Sequence, residues 1–251
     1  MTTTSTSRPS SADPTPGGVA LTAGARVHRR FGDRSHGDLR IDADPAELEG
    51  ARQAVAPLPW TWLHQVHGAE VVVVTRPGEH AGAEADAAVT DVPGAVLAVN
   101  TADCVPVLLS DDAAGVVGAA HAGWRGAEAG VLQATVDAMV RLGADPSRIE
   151  AHVGPCISAA AYEFSQADLT RLAFRYGPDV IGATAGGNPA LDLVPVVRSA
   201  LAEAGLPPHA VHVDGRCTAT DTTGGAPTFW SHRARADVGR QASVIWIERD
   251  A

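Results

Sequence analysis

The chain has 251 residues, 45% of them hydrophobic and 19% charged, with a formal net charge of −10. That length can bury a substantial core as one large or two small domains, while the acidity argues against a nucleic-acid polymer as partner, since neutralising phosphates needs a basic surface. All 19 basic residues are Arg, so Schiff-base chemistry through a lysine is excluded.

No apolar run is long enough to cross a bilayer. The first residues lack the basic-then-apolar pattern of a secretory signal. Three cysteines, Cys104, Cys156 and Cys217, occur without a CxxC pair; this rules out a zinc finger and suits a reducing compartment. The expected location is the cytoplasm, with no membrane partner.

Residues 1–22 are rich in Ser, Thr, Pro and Gly and are expected to form a disordered tail, because so little apolar content cannot offset ordering entropy. A single domain is expected over residues 23–251. Asp44-Pro45 is a cap-and-first-turn signal for a helix running to Val55. "TWLHQVHG" and "EVVVVT" read as strands around a turn at Gly68. "ADAAVT", "AVLAVN", "VPVLLS" and "GVVGAAH" are short apolar runs of the kind found in buried strands.

Beyond His121 the period changes. Val131, Thr135, Ala138, Met139 and Leu142 recur at helical spacing, and Gly143 stops the run. "IEAHVGP" predicts a strand and "QADLTRLAFRYG" a helix. Asn188-Pro189 is expected to cap a helix with Leu193, Val194, Val197 and Leu201 on one face. "AVHVDG", "PTFWS" and "ASVIWIE" read as closing strands. Strands and helices mix without strict alternation, which predicts an α/β single domain with a mixed sheet and flanking helices.

The chemistry-bearing residues gather in a few places. His121 stands where a buried strand ends and a helix begins, a usual ligand position in α/β proteins. The backbone N–H groups near Gly123 and Gly126 favour an anion there, and Arg125 adds a planar donor fork for phosphate or carboxylate. His64 and His67, three apart on a strand, would point to opposite faces. Cys104 sits at a strand entrance beside Asp103. Core filler, a hydrolytic Cys/His pair and a metal site are all compatible with these residues. One thiolate and two imidazoles would leave a fourth zinc position open.

Taken in order, "HQVHG", "ADAAVT", "TADCVPVLL", "GAAHAGWRG", "VGPCIS" before Tyr162-Glu163, and "FWSHR…GRQASVIWI" resemble the laccase-domain, or multifunctional purine nucleoside phosphorylase, family. Bacterial members are also labelled polyphenol oxidases or peptidoglycan editing factors. The resemblance runs from about residue 60 to the C-terminus. It implies a zinc site of His67, Cys104 and His121, with His64 on the other face or behind the ligands. It also implies phosphorolysis of purine nucleosides to base and ribose 1-phosphate, and deamination of adenosine, for which zinc would activate a water.

Arg125 is then the first candidate for phosphate, Arg233 and Arg240 the next. Asp103 would orient a ligand, shuttle a proton or merely cap the strand. Two departures stand out: the family's "N-L-G-x-H-V-G-D" segment survives only as His36-Gly37-Asp38, and the arginines after "FWS" are separated by Ala234. Alternative readings are a Cys104/His121 hydrolase, a non-catalytic cell-wall precursor editing or binding protein, and a copper polyphenol oxidase. Oligomeric state is left open.

Overall fold

Both faces of the central strands are covered, which explains why so many of them read as unbroken apolar runs. The computed structural model describes residues 19–21 and 25–249. The chain opens with β1 (Val19–Leu21), β2 (Ala25–Phe31), α1 (Pro45–Val55), β3 (Trp60–His64), β4 (Val71–Val73), β5 (Ala83–Glu84) and β6 (Ala87–Thr90). β7 (Val96–Thr101), β8 (Val105–Asp111), β9 (Val116–Ala122), α2 (Trp124–Ala129), α3 (Val131–Arg141), β10 (Glu150–Val153) and α4 (Gln166–Tyr176) follow. The remainder is β11 (Ile181–Ala183), β12 (Pro189–Leu191), α5 (Leu193–Glu203), β13 (Val211–Val213), β14 (Thr222–Thr223), β15 (Ala226–Pro227), α6 (His232–Arg235) and β16 (Gln241–Arg249).

Two mixed six-stranded sheets carry the fold, in the orders β1-β2-β16-β7-β3-β5 and β13-β10-β8-β9-β6-β4. Side-chain alternation along the strands builds three apolar layers. Ile245 and Ile247 of β16, Leu97 and Val99 of β7, and Leu108 of β8 point between the sheets. Val244, Trp246, Val96 and Ala98 point outward onto Leu48 and Val55 of α1. On the far side, Val105, Val107 and Leu109 of β8 pack under Leu132, Met139, Val197 and Leu201 from α3 and α5. The fold is therefore mixed α/β with flanking helices, as the sequence predicts, but its strands divide into two packed sheets rather than one.

Local signals account for most helix boundaries. The Asp44 carboxylate accepts from the N–H groups of Ala46 and Glu47 at the start of α1, with Pro45 in the first turn. Gly130, with φ of 94°, separates the short α2 from α3. Two expectations need correction. Asn188-Pro189 does not cap a helix; Pro189 opens β12 in a small antiparallel hairpin, where its missing N–H is tolerated. Asp192 caps α5 instead, accepting from Val194 N at 3.0 Å. "PTFWS" is not a full strand, because Trp230 N and Ser231 N donate to the side chains of Gln241 (2.8 Å) and Asp237 (2.9 Å) rather than to a ladder.

Of the segment expected as a tail, residues 19–21 form β1, paired with β2; residues 1–18 lie outside the described residues. Among the described residues, no helix is long and apolar enough to cross a membrane.

One topological feature positions everything below. β3, β5 and β7 run parallel in the first sheet, and each is followed by a crossover into the second, to β4, β6 and β8. The three crossovers therefore leave the same end of the sandwich.

Candidate metal centre

His67 lies on the first crossover and Cys104 on the third, while His121 is the penultimate residue of β9. Each offers a ligand atom within 4.8 Å of the other two. The imidazole rings meet edge to face with centroids 4.8 Å apart. His121 is buried, Cys104 half-buried and His67 exposed at the mouth. His67 is not on a strand: β3 ends at His64, and His67 adopts a left-handed backbone with φ of 59°. The face problem posed by His64 therefore disappears, and both histidines border the same cavity.

Behind the ligands stands Asp86, on the second crossover and fully buried. Its Oδ1 is 2.8 Å from His121 Nδ1 and accepts from His67 N at 3.0 Å; its Oδ2 accepts from Val66 N at 3.1 Å and Gly68 N at 2.7 Å. Burial pushes this carboxyl up, but the His121 and backbone hydrogen bonds outweigh it and hold Asp86 below the usual carboxylate range. A buried carboxylate with this many donors is compensated without a lysine or arginine.

The electrostatics move the two imidazoles in opposite directions. Burial, helped by the charges of His121 and Arg125, lowers the His67 pKa and favours the neutral imidazole that ligates. Burial alone would pull His121 down too, but Cys104 and Asp86 together push it up to about 9. Room is provided by Gly123, whose missing Cβ would stand 2.5 Å from His67 Nδ1 and 3.2 Å from Cys104 Sγ. Two imidazoles, a thiol and this clearance fit a transition-metal ion.

The cleft above the cluster measures about 570 Å³. Besides the three candidate ligands its walls include His64, Asn100, Asp103, Tyr162, Arg40, Arg233 and Arg240. Asp103 is buried, with φ of 98°. Its carboxylate accepts from Thr218 Oγ1 at 2.7 Å and from Arg233 N at 2.6 Å, and its carbonyl from Ile157 N at 2.9 Å. Cys156 and Cys217 pair across a bridge beside these anchors and both are buried.

The arginines separate in space. Arg233 borders the cleft, its guanidinium 4.6 Å over the Tyr162 ring and its Nη1 donating to Glu163 O at 2.7 Å. Arg240 borders it too, with Nη1 held by the carbonyls of Val238 and Gly239, both at 2.9 Å. Arg125 is exposed and lies 4.4 Å over the Trp124 ring, outside the cleft lining.

Sequence reasoning passed over Asp86, Arg40 and Asn100. Asp86 is the second residue of "ADAAVT", where an acid before an apolar run signals only a strand start. The Asn100 backbone is held by the Gln65 side chain, its N–H donating to Oε1 at 2.7 Å and its carbonyl accepting from Nε2 at 2.7 Å, a pairing with no sequence signal.

Fold and site together define a mixed α/β protein with a His-Cys-His cluster at the crossovers between two sheets. The family described as multi-copper polyphenol oxidoreductase laccase matches residues 38–248, and the chain belongs to it. It is 41% identical over 244 residues to the purine nucleoside phosphorylase ORF3 of Streptomyces griseus, covering 88% of this chain and 95% of that one. YfiH of Bacillus licheniformis superposes with a TM-score of 0.76 at 26% identity, covering 90% of this chain and 97% of its own. YlmD of Geobacillus stearothermophilus does so with a TM-score of 0.73 at 30% identity, covering 91% and 93%.

Proposed function

We propose that the chain is a zinc-dependent purine nucleoside enzyme. It cleaves adenosine and inosine with phosphate to base and ribose 1-phosphate, and it deaminates adenosine to inosine. The observation that carries this reading is the convergence of His67, Cys104 and His121 on one cleft, in a chain whose Streptomyces griseus relative bears the phosphorylase name.

Two imidazoles and one thiolate would hold zinc, and three protein ligands rather than four are the set typical of catalytic zinc. The same donors serve copper in electron transfer, but such centres need no substrate cleft. Among the described residues no second metal-ligating group of three accompanies this one, as a multicopper centre would require. Bound zinc would supply Lewis acidity at the reacting atoms.

The chain's own groups do the remaining work. Tyr162 offers an aromatic face to the purine. Arg233 and Arg240 hold phosphate beside the sugar, their forks matched to its oxygens. Asp103, with both carboxylate oxygens engaged, fixes the start of α6 and so aims Arg233 rather than carrying a proton. Arg125 acts on the site only at a distance through its charge. Three free cysteines suit a cytoplasmic setting.

Product chromatography tests this directly. Zinc-loaded protein given adenosine should yield inosine, and with phosphate present also base plus ribose 1-phosphate, while Cys104→Ala yields neither. No product from the loaded protein contradicts the reading.

A thiol hydrolase is a second reading, favoured by the Cys104–His121 contact that raises the imidazole. Alkylation separates the two. Zinc shields a ligating thiolate from iodoacetamide, whereas a free nucleophile stays reactive.

A further inference from the structure

We infer that Asp86 is the residue that positions both histidines of the metal centre; this rests on the metal reading above, not on the identity of the nucleoside. Asp86 touches neither the cleft nor any candidate ligand atom that would face a metal. Yet every hydrogen bond of its carboxylate goes to His121 or to the loop that carries His67.

Consider His121 first. Its Nδ1 is 2.8 Å from Asp86 Oδ1, and an ionised carboxylate only accepts, so Nδ1 must carry the hydrogen. That leaves the Nε2 lone pair for a metal. The backbone repeats the tie, since His121 N donates to Asp86 O at 2.8 Å. These two contacts place the ring and its tautomer together.

The His67 loop is held by the other half of the same group. His67 has a left-handed backbone with φ of 59°, a conformation that costs a non-glycine residue free energy and persists where its surroundings impose it. Three consecutive N–H groups, from Val66, His67 and Gly68, converge on the Asp86 carboxylate. A carboxylate in that nest supplies the restraint. One buried side chain thus couples a candidate ligand on β9 to one on the crossover between β3 and β4, and Cys104 is the candidate ligand it does not reach.

Asparagine has nearly the same size but turns one acceptor oxygen into a donor that faces backbone N–H groups. The test measures zinc affinity by competition with a chromophoric chelator for the wild type, Asp86→Asn and Asp86→Glu, with near-ultraviolet circular dichroism reporting the fold. The expected result is a loss of about 10- to 100-fold in zinc affinity for Asp86→Asn, with partial rescue by Asp86→Glu. A folded Asp86→Asn protein that binds zinc within twofold of wild type overturns the inference.

A second measurement needs no variant. Nitrogen-15 NMR of the zinc-loaded wild type should show His121 protonated at Nδ1 and metal-shifted at Nε2. A metal-shifted Nδ1 overturns the inference even if the centre itself is real. A wild type that takes up no zinc overturns the metal reading and this inference together.

Discussion

A Cβ placed on Gly123 would come within 2.5 Å of His67 Nδ1 and 3.2 Å of Cys104 Sγ. Gly123 has φ of −70°, so its backbone would accept any residue, and the requirement for glycine comes from the two side chains in front of it. Gly123→Ala should therefore fold, with an overpacking cost of about 1–3 kcal/mol, while displacing both groups. The expected outcome is a fall in zinc affinity of about tenfold or more, read by chelator competition. Unchanged affinity would mean that His67 and Cys104 do not bind together.

Metal affinity should depend on pH with a defined sign. His121 is lowered by burial, but Cys104 and Asp86 outweigh this and push it up to about 9. Zinc must displace that proton, so affinity should climb by about tenfold per pH unit as the pH rises toward 9. Competition titrations at three pH values check the slope; a flat profile contradicts the assignment of His121 as a ligand.

A histidine far from the cleft sets a different pH dependence. His152 stacks on His212 with ring centroids 4.9 Å apart, while His212 pairs with Glu150. Burial first, then the charges of Arg29 and His212, lower His152 to about 4. Its folded pKa lies below the unfolded value of about 6.5, so the unfolded chain binds the extra proton between these values. Stability is kept above about pH 6.5 and should fall by up to about 1.4 kcal/mol per unit as the pH drops toward 4. Thermal melts of His152→Asn should show a shallower loss over that window than the wild type does.

The arginines should separate kinetically. Arg233 borders the cleft and Arg125 does not. Arg233→Ala is expected to raise the KM for phosphate by about tenfold or more, the worth of a charge-assisted hydrogen bond. Arg125→Ala should stay within about twofold. The reverse order would move the phosphate site to the start of α2.

The sequence shows the candidate ligands as three separate fragments. "TADC", "HAGWRG" and the second histidine of "HQVHG" are each visible, but spacing alone does not join them. Their meeting depends on β3, β5 and β7 crossing to the second sheet at one end, and strand pairing between distant segments leaves no local trace. The helices over 45–55, 131–141 and 166–176 were legible because caps and 3.6-residue periodicity are local signals. The sheet partners were not, since strands buried on both faces lose the alternation that would reveal which side faces what. Asp86 was hidden for a related reason: an acid before an apolar run looks like a surface start, and only its donors reveal a buried anchor.

The most direct measurement is the rate of inosine phosphorolysis by chelator-stripped protein as zinc is added back in fractions of an equivalent. The rate should be near zero without metal, rise linearly, and break at one zinc per chain. A stripped protein that turns over at full rate, or a rate indifferent to added zinc, would rule out a zinc-dependent reaction.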